Sequence, residues 1–385
     1  MFFLKILLKN TFRHKLRTVL TILSITIALI AFGLLRTVIH AWYAGVEASA
    51  ADRLISRNAI SLIFSLPMAY KEKIRQVDGV KDISYGNWFG GIYIEEKNFF
   101  ANFAVEPESY LKLYPEFMVP DDQKAAVLRD RKACVVGRKL AERFDWQLGD
   151  LITLRGTIFP GNWEFVLRGI YKGRDESTDE SQFFFHWDYL NETLRKTASI
   201  RADKVGFYIV QVEDPALATD VSHTVDQMFD NSLAETLTET EKAFQLSFIA
   251  MSEALLVIIQ LVSLVVIVII MAVVANTMAM TVRERTSEYA VFKTLGFGGW
   301  RIAVLIFGES LTITMMGCAA GIGLTFPVTR AFGKTMGDFF PVFRVEPEIF
   351  VSYVVAALTV GIVAALIPTW RAVRLTIAEG LGRIE

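Results

Sequence analysis

Four long apolar stretches stand out from the alternation of apolar and polar residues along the chain. They cover residues 18–35, 254–282, 302–328 and 349–370, and only the third contains a charged residue, Glu309. A helix needs about 20 apolar residues to cross a bilayer, whereas the apolar region of a secretory signal peptide is about 7–15 residues long. We therefore predict four transmembrane helices, the first of which is not a cleaved signal.

Charged residues predict which way these helices run. Five basic and no acidic residues precede the first stretch, and the connection 283–301 holds four basic and two acidic residues. By the positive-inside rule, both termini and this connection face the cytoplasm. Segment 36–247 then lies outside, and its 25 basic and 32 acidic residues give it a net charge of -7.

The long outer segment alternates strand-like and helix-like patterns, which predicts a folded α+β domain. Within it we expect a strand at 59–65 and a mostly β insertion at about 110–204. No strand pattern follows Leu233. We therefore predict that 233–247 is a stalk helix continuous with the second span.

The first 17 residues interleave apolar and basic side chains, which is typical of a helix lying on the inner membrane surface. The predicted division of the chain is an amphipathic helix 1–17, spans 18–39, 248–282, 302–328 and 349–370, an outer domain 40–247, a cytoplasmic segment 283–301, an outer loop 329–348 and a cytoplasmic tail 371–385.

Composition agrees with a membrane protein. Apolar residues make up 53% of the 385 residues, and the mean hydropathy is +0.38. The net charge of -1 argues against a nucleic-acid binder, which needs a basic surface. Cys134 lies in the outer segment and Cys318 in the third span, so we expect two buried free thiols rather than a disulfide.

Sequence motifs for catalysis or nucleotide binding are missing. The chain contains no G-x-x-x-x-G-K-[ST] phosphate loop, no H-E-x-x-H zinc motif and no G-x-S-x-G nucleophile elbow, and its four histidines are scattered. We therefore expect a non-catalytic chain that binds no cofactor or metal itself.

Two features of the spans predict contact between helices. Glu309 is either part of a proton relay or hydrogen-bonded to a partner helix, and we favour the second because the spans hold no second carboxylate, Lys or His at matching depth. Gly317 and Gly321 form a G-x-x-x-G motif, and Ala275 and Ala279 repeat this spacing in the second span. Such small-residue faces predict close packing, either within the chain or across a dimer.

Segment 283–301 carries the most specific pattern. The run V-R-E-R-T-S-E-Y-A-V-F-K-T-L-G at 282–296 reads as a short helix, with Arg285 and Glu288 on its polar side and three apolar residues at three-residue steps. A helix of this kind between two spans is suited to press into a cleft of a cytoplasmic partner.

This run resembles the V-R-E-R-x-x-E-I-x-x-x-x-A-x-G signature of the FtsX/MacB-type ABC transporter permeases. The opening H-K-L-R-T-V-L-T-I-L at 14–23, the outer V-G-R-K-L-A at 136–141 and the closing I-P-T-W-R-A-V-R-L at 367–375 are similar to other motifs of that family, in the family's order. Tyr289 stands where the family commonly has Ile, a tolerable change on the apolar face. Thr369-Trp370 and Thr376-Ile377 also depart from the family pattern, and these two departures weaken the transfer of a detailed list of ATPase contacts.

The resemblance implies an α-helical membrane protein with four transmembrane helices and an α+β extracytoplasmic domain, in which a porter-like module carries a β-rich Sabre-like insertion. It also implies a second permease chain, most simply a homodimer, and two copies of a separate ABC ATPase that uses ATP and Mg. The implied location is the bacterial inner membrane, in contact with lipid. An efflux system would add a periplasmic adaptor and an outer-membrane channel.

We predict a MacB-type permease subunit that couples ATP hydrolysis to efflux or extrusion from the periplasm or outer leaflet by mechanotransmission. A lipoprotein-releasing (LolC/LolE-like) subunit and an FtsX-like regulator of a partner such as a cell-wall hydrolase stay as alternatives. The residues predicted to contact the ATPase are Arg283, Glu284, Arg285, Glu288, Tyr289, Phe292, Lys293, Leu295 and Gly296.

Overall fold

The computed structural model describes residues 11–47, 49–175, 177–250, 253–336, 343 and 345–381. They form two compact units, each with its own core. The helical unit comprises the residues up to His40, Glu253–Met336 and the residues from Phe343 onward, and the α+β unit comprises Ala41–Ser252. Most of the predicted amphipathic helix 1–17 lies outside the described residues.

The described helices are, in chain order, α1 (Lys15–Glu47), α2 (Tyr70–Arg75), α3 (Pro107–Leu113), α4 (Asp121–Arg129), α5 (Arg138–Phe144), α6 (Trp187–Thr197), α7 (Ala218–Met228), α8 (Glu241–Ala250), α9 (Glu253–Glu284), α10 (Thr286–Thr294), α11 (Gly299–Met336), α12 (Pro347–Arg374) and α13 (Ile377–Leu381). The strands are β1 (Arg53–Asn58), β2 (Leu66–Pro67), β3 (Val80–Trp88), β4 (Gly91–Ile92), β5 (Asn102–Val105), β6 (Phe117–Met118), β7 (Ala133–Gly137), β8 (Leu151–Gly156), β9 (Gly161–Gly173), β10 (Phe183–His186), β11 (Lys204–Val205), β12 (Phe207–Val212) and β13 (Thr236–Thr240).

Among the described residues, four helices are long and apolar enough to cross a membrane, which confirms the number of spans predicted from the apolar stretches. The candidate spans are Lys15–Tyr43, Ala254–Glu284, Gly299–Gly333 and Pro347–Arg374. The predicted outer loop 329–348 is wrong over 329–336, because α11 continues to Met336. Arg330 and Lys334 end the apolar stretch, but basic residues are good helix formers and do not end the helix.

The G-x-x-x-G motif of the third span packs within the chain. A Cβ on Gly317 would lie 2.5 Å from Ile25 Cγ2 of α1, and a Cβ on Gly321 would lie 3.3 Å from Leu29 Cβ of the same helix. Only residues without a larger side chain allow two helices to approach this closely. The sequence left open whether these glycines pack within the chain or across a dimer. In the structure they pack within the chain.

A continuous sheet organises the α+β unit. Its strand order is β13-β1-β12-β3-β5-β10-β7-β9-β8-β4, with β6 beside β9. The pairs β5–β10 and β7–β9 are parallel, and the other pairs are antiparallel. Buried and exposed positions alternate along much of β9, as expected for a strand with one face on a core. The sheet thus runs unbroken from the first strands into the predicted insertion, through the β5–β10 pair.

The predicted stalk helix 233–247 is wrong in its first half. Thr236–Thr240 form β13, which pairs antiparallel with β1, and α8 begins only at Glu241. Threonine occupies every second position of this strand, and Thr238 Oγ1 donates to Ser56 Oγ at 2.9 Å. β-Branched residues favour strands, but the sequence hides this one because it is polar and its partner lies 182 positions away.

The apolar run predicted as a strand at 59–65 is a loop in the structure. The strand β1 precedes it, and Ile60 and Ile63 in the loop are exposed. The true strand R-L-I-S-R-N contains two arginines, whose burial in ion pairs could not be seen from hydropathy alone.

Candidate coupling site

The connection predicted at 283–301 folds into the short helix α10. Its last turn closes as Gly296 N donates to Lys293 O at 3.1 Å. Gly296 has a φ of 83°, a left-handed conformation that glycine adopts without steric cost. This glycine ends the helix and lets the chain turn toward α11.

Arg285 is the buried centre of this connection. Its Nη1 donates to Glu309 Oε2 and its Nε donates to Glu288 Oε2, both at 3.0 Å. The guanidinium also lies 5.3 Å from the ring centre of Tyr289, within cation–π range. Arg285 is 6% exposed, so its guanidinium is buried together with its hydrogen bond to Glu288. Two carboxylates that accept its hydrogen bonds make this burial tolerable.

Glu309 on α11 is therefore hydrogen-bonded to a residue outside its own helix, as the favoured alternative anticipated. Its partner was not evident from the sequence, because Arg285 lies outside the four apolar stretches. Arg285 lies 24 positions before Glu309, between α9 and α10. The pair joins the connection to the third span.

The ionisable groups around α10 shift each other's pKa values. Burial alone would lower the pKa of Arg285, but Tyr289 and the carboxylates nearby raise it above its ordinary value. Partial burial acts to raise the pKa of Glu288, yet hydrogen bonds from Arg13 and Arg285 outweigh it and lower that pKa. Burial raises the pKa of Tyr289 to about 12. At neutral pH, Arg285 and Glu288 are charged and Tyr289 is neutral.

Residues around the start of α1 contact the same connection. Arg13 forms an ion pair with Glu288, and Arg17 donates two hydrogen bonds to Glu284, at 2.8 and 2.6 Å. His14 Nε2 lies 3.5 Å from Glu284 Oε2. A forked arginine–carboxylate pair fixes orientation as well as distance. Sequence reasoning missed these basic residues as partners, because Arg17 and Glu284 are 267 positions apart.

Lys293 attaches α10 to the end of the fourth span. Its Nζ donates to Val373 O at 2.7 Å and to Leu375 O at 2.5 Å. The carbonyl groups at a helix C-terminus lack partners within the helix, and a lysine is well suited to satisfy them. A Cβ on Gly299 would lie 2.8 Å from Val373 Cγ1, so the start of α11 also lies close to α12. The connection is thus held by α1, α11 and α12.

Several large apolar side chains between Val291 and Trp300 are exposed. Leu295 is 69% exposed and Trp300 is 80% exposed, and Val291 and Phe297 are also exposed. We call these four residues the apolar tip. The sequence analysis included Leu295 but missed the other three. The signal available was a tryptophan in a short, otherwise charged and glycine-rich connection.

The structure divides the predicted contact residues by their surroundings. Arg285 and Tyr289 are buried, and Lys293 is bonded to the end of α12. The ring of Phe292 lies 5.4 Å from that of Phe297, beside the apolar tip. Arg283, Glu284 and Gly296 are exposed, and Ala275 and Ala279 on α9 are half-buried. Within the described ranges, no cluster of three or more His, Cys, Asp or Glu side chains is placed to hold a metal ion.

Comparison with known families decides the class of the protein. Residues 18–228 match the MacB-like periplasmic core domain, and residues 260–377 match the FtsX-like permease C-terminal domain. The first match alone covers more than half of the chain. The chain belongs to the FtsX/MacB-type ABC transporter permeases. The connection around α10 falls inside the FtsX-like part of this permease.

Individual relatives extend this finding. The permease is 24% identical over 398 residues to an uncharacterized ABC transporter permease of Methanocaldococcus jannaschii, covering 97% of this chain and 96% of that protein. It is 30% identical over 110 residues to the macrolide export ATP-binding/permease protein MacB of Psychrobacter cryohalolentis, covering 29% of this chain and 16% of MacB.

Solved structures of related domains resemble about half of the permease. The extracellular domain of the noncanonic ABC-type transporter YknZ from Gram-positive bacteria aligns with a TM-score of 0.35 and 15% identity, over 49% of this chain and all of that domain. A domain of a permease protein from Porphyromonas gingivalis aligns with a TM-score of 0.32 and 14% identity, over 49% of this chain and 90% of that domain.

Proposed function

We propose that this permease works by mechanotransmission, in which movement of its α+β domain performs the work and the substrate does not pass through the spans. Two copies of a separate ABC ATPase hydrolyse ATP with Mg and press on α10, while this chain holds no cofactor. Two permease chains move together and extrude a substrate from the periplasm or the outer leaflet. A periplasmic adaptor and an outer-membrane channel complete the route.

The observation that carries this proposal is an apolar tip on an anchored base. Leu295 and Trp300 are exposed, whereas Arg285 in the same connection is bonded to α11 and Lys293 to α12. Exposed tryptophan and leucine side chains are suited to fill a pocket of a partner protein. A force applied to the tip would act on the spans because the base is bonded to them.

The distribution of charge supports the orientation proposed for this machine. The connection that carries the apolar tip and both terminal segments are basic, whereas segment 36–247 has a net charge of -7. Positive segments stay in the cytoplasm, where an ATPase finds ATP. We therefore assign α10 and both termini to the cytoplasmic side of the inner membrane.

The test is to truncate the apolar tip and measure binding of the ATPase. In Trp300→Ala the permease should insert and fold, because Trp300 is exposed. Binding of the copurifying ATPase should weaken by about 2 kcal/mol, roughly thirtyfold in Kd, which is typical of a central interface tryptophan. Microscale thermophoresis of nanodisc-reconstituted permease with purified ATPase measures this change.

Trp370→Ala is the matched control. Trp370 is also exposed, but it lies on α12 outside the apolar tip, with its ring 4.3 Å from the Arg374 guanidinium. Its loss should leave the Kd for the ATPase unchanged. Equal Kd values for wild type and Trp300→Ala would contradict the docking role, and so would equal weakening by both variants.

A further inference from the structure

Two chain connections lead into the α+β unit, and each reaches a buried charged residue. The chain enters this unit after His40 and leaves it before Glu253. The first connection continues from α1 to β1, whose first residue is Arg53. The second starts from β13 and α8, whose first residue is Glu241. A displacement that enters along either connection therefore meets Arg53 or Glu241 before the rest of the sheet.

A single carboxylate holds both connections. Glu241 Oε2 accepts hydrogen bonds from Arg53 Nε at 2.8 Å and from Ala50 N at 3.2 Å. Its other oxygen, Oε1, accepts a hydrogen bond from the Tyr114 hydroxyl at 3.0 Å. Ala50 lies between α1 and β1, and Tyr114 directly follows α3. Glu241 thus joins the start of α8 to the end of the first connection and to the end of α3.

Arg53 extends the same cluster. Its Nη1 donates to Leu113 O at 2.9 Å, and its Nη2 donates to Glu116 Oε1 at 2.6 Å. Its guanidinium lies 4.1 Å from the ring centre of Tyr114. Each nitrogen of the guanidinium therefore has an acceptor, on α8, on the last residue of α3 or on Glu116. A fork fixed at three points holds its neighbours in one relative position.

Burial separates this cluster from an ordinary surface pair. Arg53 is 3% exposed and Glu241 is 6% exposed. A second pair, Arg57 and Glu239, joins the strands β1 and β13 through one contact at 3.2 Å and is partly exposed. That pair links only neighbouring strands, whereas the Arg53 cluster links β1, α8 and the end of α3.

We propose that Arg53 and Glu241 are a positioning pair that makes the two connections move as one body and delivers a displacement of α8 to both the sheet and the end of α3. This role rests on the proposed mechanotransmission function. Without the pair, α8 could tilt while the sheet stays in place. ATP hydrolysis would then continue without movement of the α+β unit.

The first experiment tests the pair without any ATPase. Spin labels at Leu246→Cys on α8 and Met118→Cys on β6 attach to exposed positions, whereas the native cysteines are buried. Pulsed electron paramagnetic resonance on the full chain in nanodiscs should give a narrow distance distribution. Glu241→Gln should broaden it, because the amide group of Gln would place a donor against Arg53. The control Glu239→Gln should leave it narrow.

The second experiment adds the copurifying ATPase and compares nucleotide-free and vanadate-trapped states. Wild type and Glu239→Gln should show a shift in the label distance, and Glu241→Gln should lose that shift while ATP hydrolysis continues. The double variant Arg53→Met with Glu241→Leu removes both charges, which often restores the stability lost in a single variant. It should regain thermal stability but not the shift.

The outcomes test the positioning role of Arg53 and Glu241 separately from the proposed mechanotransmission function. A narrow distribution and an unchanged shift in Glu241→Gln would overturn the pair, and so would a shift that returns in the double variant along with stability. If wild type itself shows no shift with nucleotide, the proposed function fails. In that case a broadened distribution in nucleotide-free Glu241→Gln would still establish that the pair holds α8.

Discussion

The helical unit and the α+β unit fill their interiors by opposite means. In the α+β unit, Phe89 is fully buried, and its ring centre lies 5.0 Å from that of Phe185 and 5.4 Å from that of Trp163. In the helical unit, buried glycines lie where helices contact each other. A Cβ on Gly33 would overlap the Tyr353 hydroxyl, and a Cβ on Gly361 would lie 2.6 Å from Thr314 Oγ1.

The two environments explain this difference. Burying large rings removes apolar area from water, at about 25 cal/mol per Å2, and this drives folding of the α+β unit. Lipid tails are as apolar as the side chains themselves, so burying area between spans yields little. Between spans, close approach of the helices and hydrogen bonds between them stabilise the packing instead. Tyr353 and Thr325 illustrate this, with hydroxyls 2.8 Å apart on α12 and α11.

The largest effect should come from emptying the aromatic core. Phe89→Ala should destabilise the α+β unit by about 3–5 kcal/mol, because the surrounding rings cannot close the cavity completely. Hydrogen–deuterium exchange of the full chain in nanodiscs should show faster exchange in β3, β9 and β10. The helical unit should keep its protection.

Phe99→Ala provides the control, since Phe99 is an exposed phenylalanine in the same unit. Its replacement should change exchange rates little. If Phe89→Ala also left exchange in the three strands unchanged, burial of rings would not be what stabilises this unit.

The next effect should come from filling a glycine contact in the helical unit. In Gly33→Val the new side chain would collide with the Tyr353 ring. We expect a loss of about 3 kcal/mol, the upper end of the cost of overpacking. Thermal unfolding in detergent, followed by fluorescence-detected size exclusion, measures it. Tyr353→Ala combined with Gly33→Val should recover part of the loss because it provides space.

Gly323→Val tests whether the contact, rather than the glycine, matters. An added Cβ on Gly323 would meet no atom within 4 Å, and Gly323 lies on a span like Gly33. This variant should unfold at the wild-type temperature. A similar loss from both valine substitutions would show that helix propensity, and not packing, determines stability here.

The sequence could predict those features that depend on residues close together along the chain. The four spans and the α10 motif depend on neighbouring residues, and the structure contains four candidate spans and a helix at Thr286–Thr294. The pairing of Arg285 with Glu309 and of Arg53 with Glu241 depends on contacts across 24 and 188 positions. Periodicity carries no information about such contacts.

The polar strand β13 was not predicted, and the reason is again a contact between residues distant in the sequence. Its threonines form no apolar face, and its pairing with β1 makes it a strand. Three residues of the apolar tip were missed for a different reason. Val291 and Trp300 look like core residues in the sequence, and only the structure shows that they are exposed.

The smallest predicted effect concerns a single hydroxyl in each unit. Ser310 Oγ donates to Gly361 O at 2.8 Å between two spans, and Ser56 Oγ accepts from Thr238 between two strands. Ser310→Ala should cost about 0.6 kcal/mol, because spans separated in the membrane also find hydrogen-bond partners. Ser56→Ala should cost about 1 kcal/mol, since it removes one hydrogen bond of buried Thr238, whose hydroxyl keeps Asp226 Oδ1 as an acceptor at 2.7 Å. The control Ser352→Ala should cost nothing, because that hydroxyl bonds within its own helix. Equilibrium unfolding of each variant in mixed micelles measures the loss in the free energy of unfolding. A loss for Ser310→Ala well above that for Ser56→Ala would contradict the prediction. It would mean that the hydrogen bond between spans stabilises the protein more than the hydrogen bond between strands does.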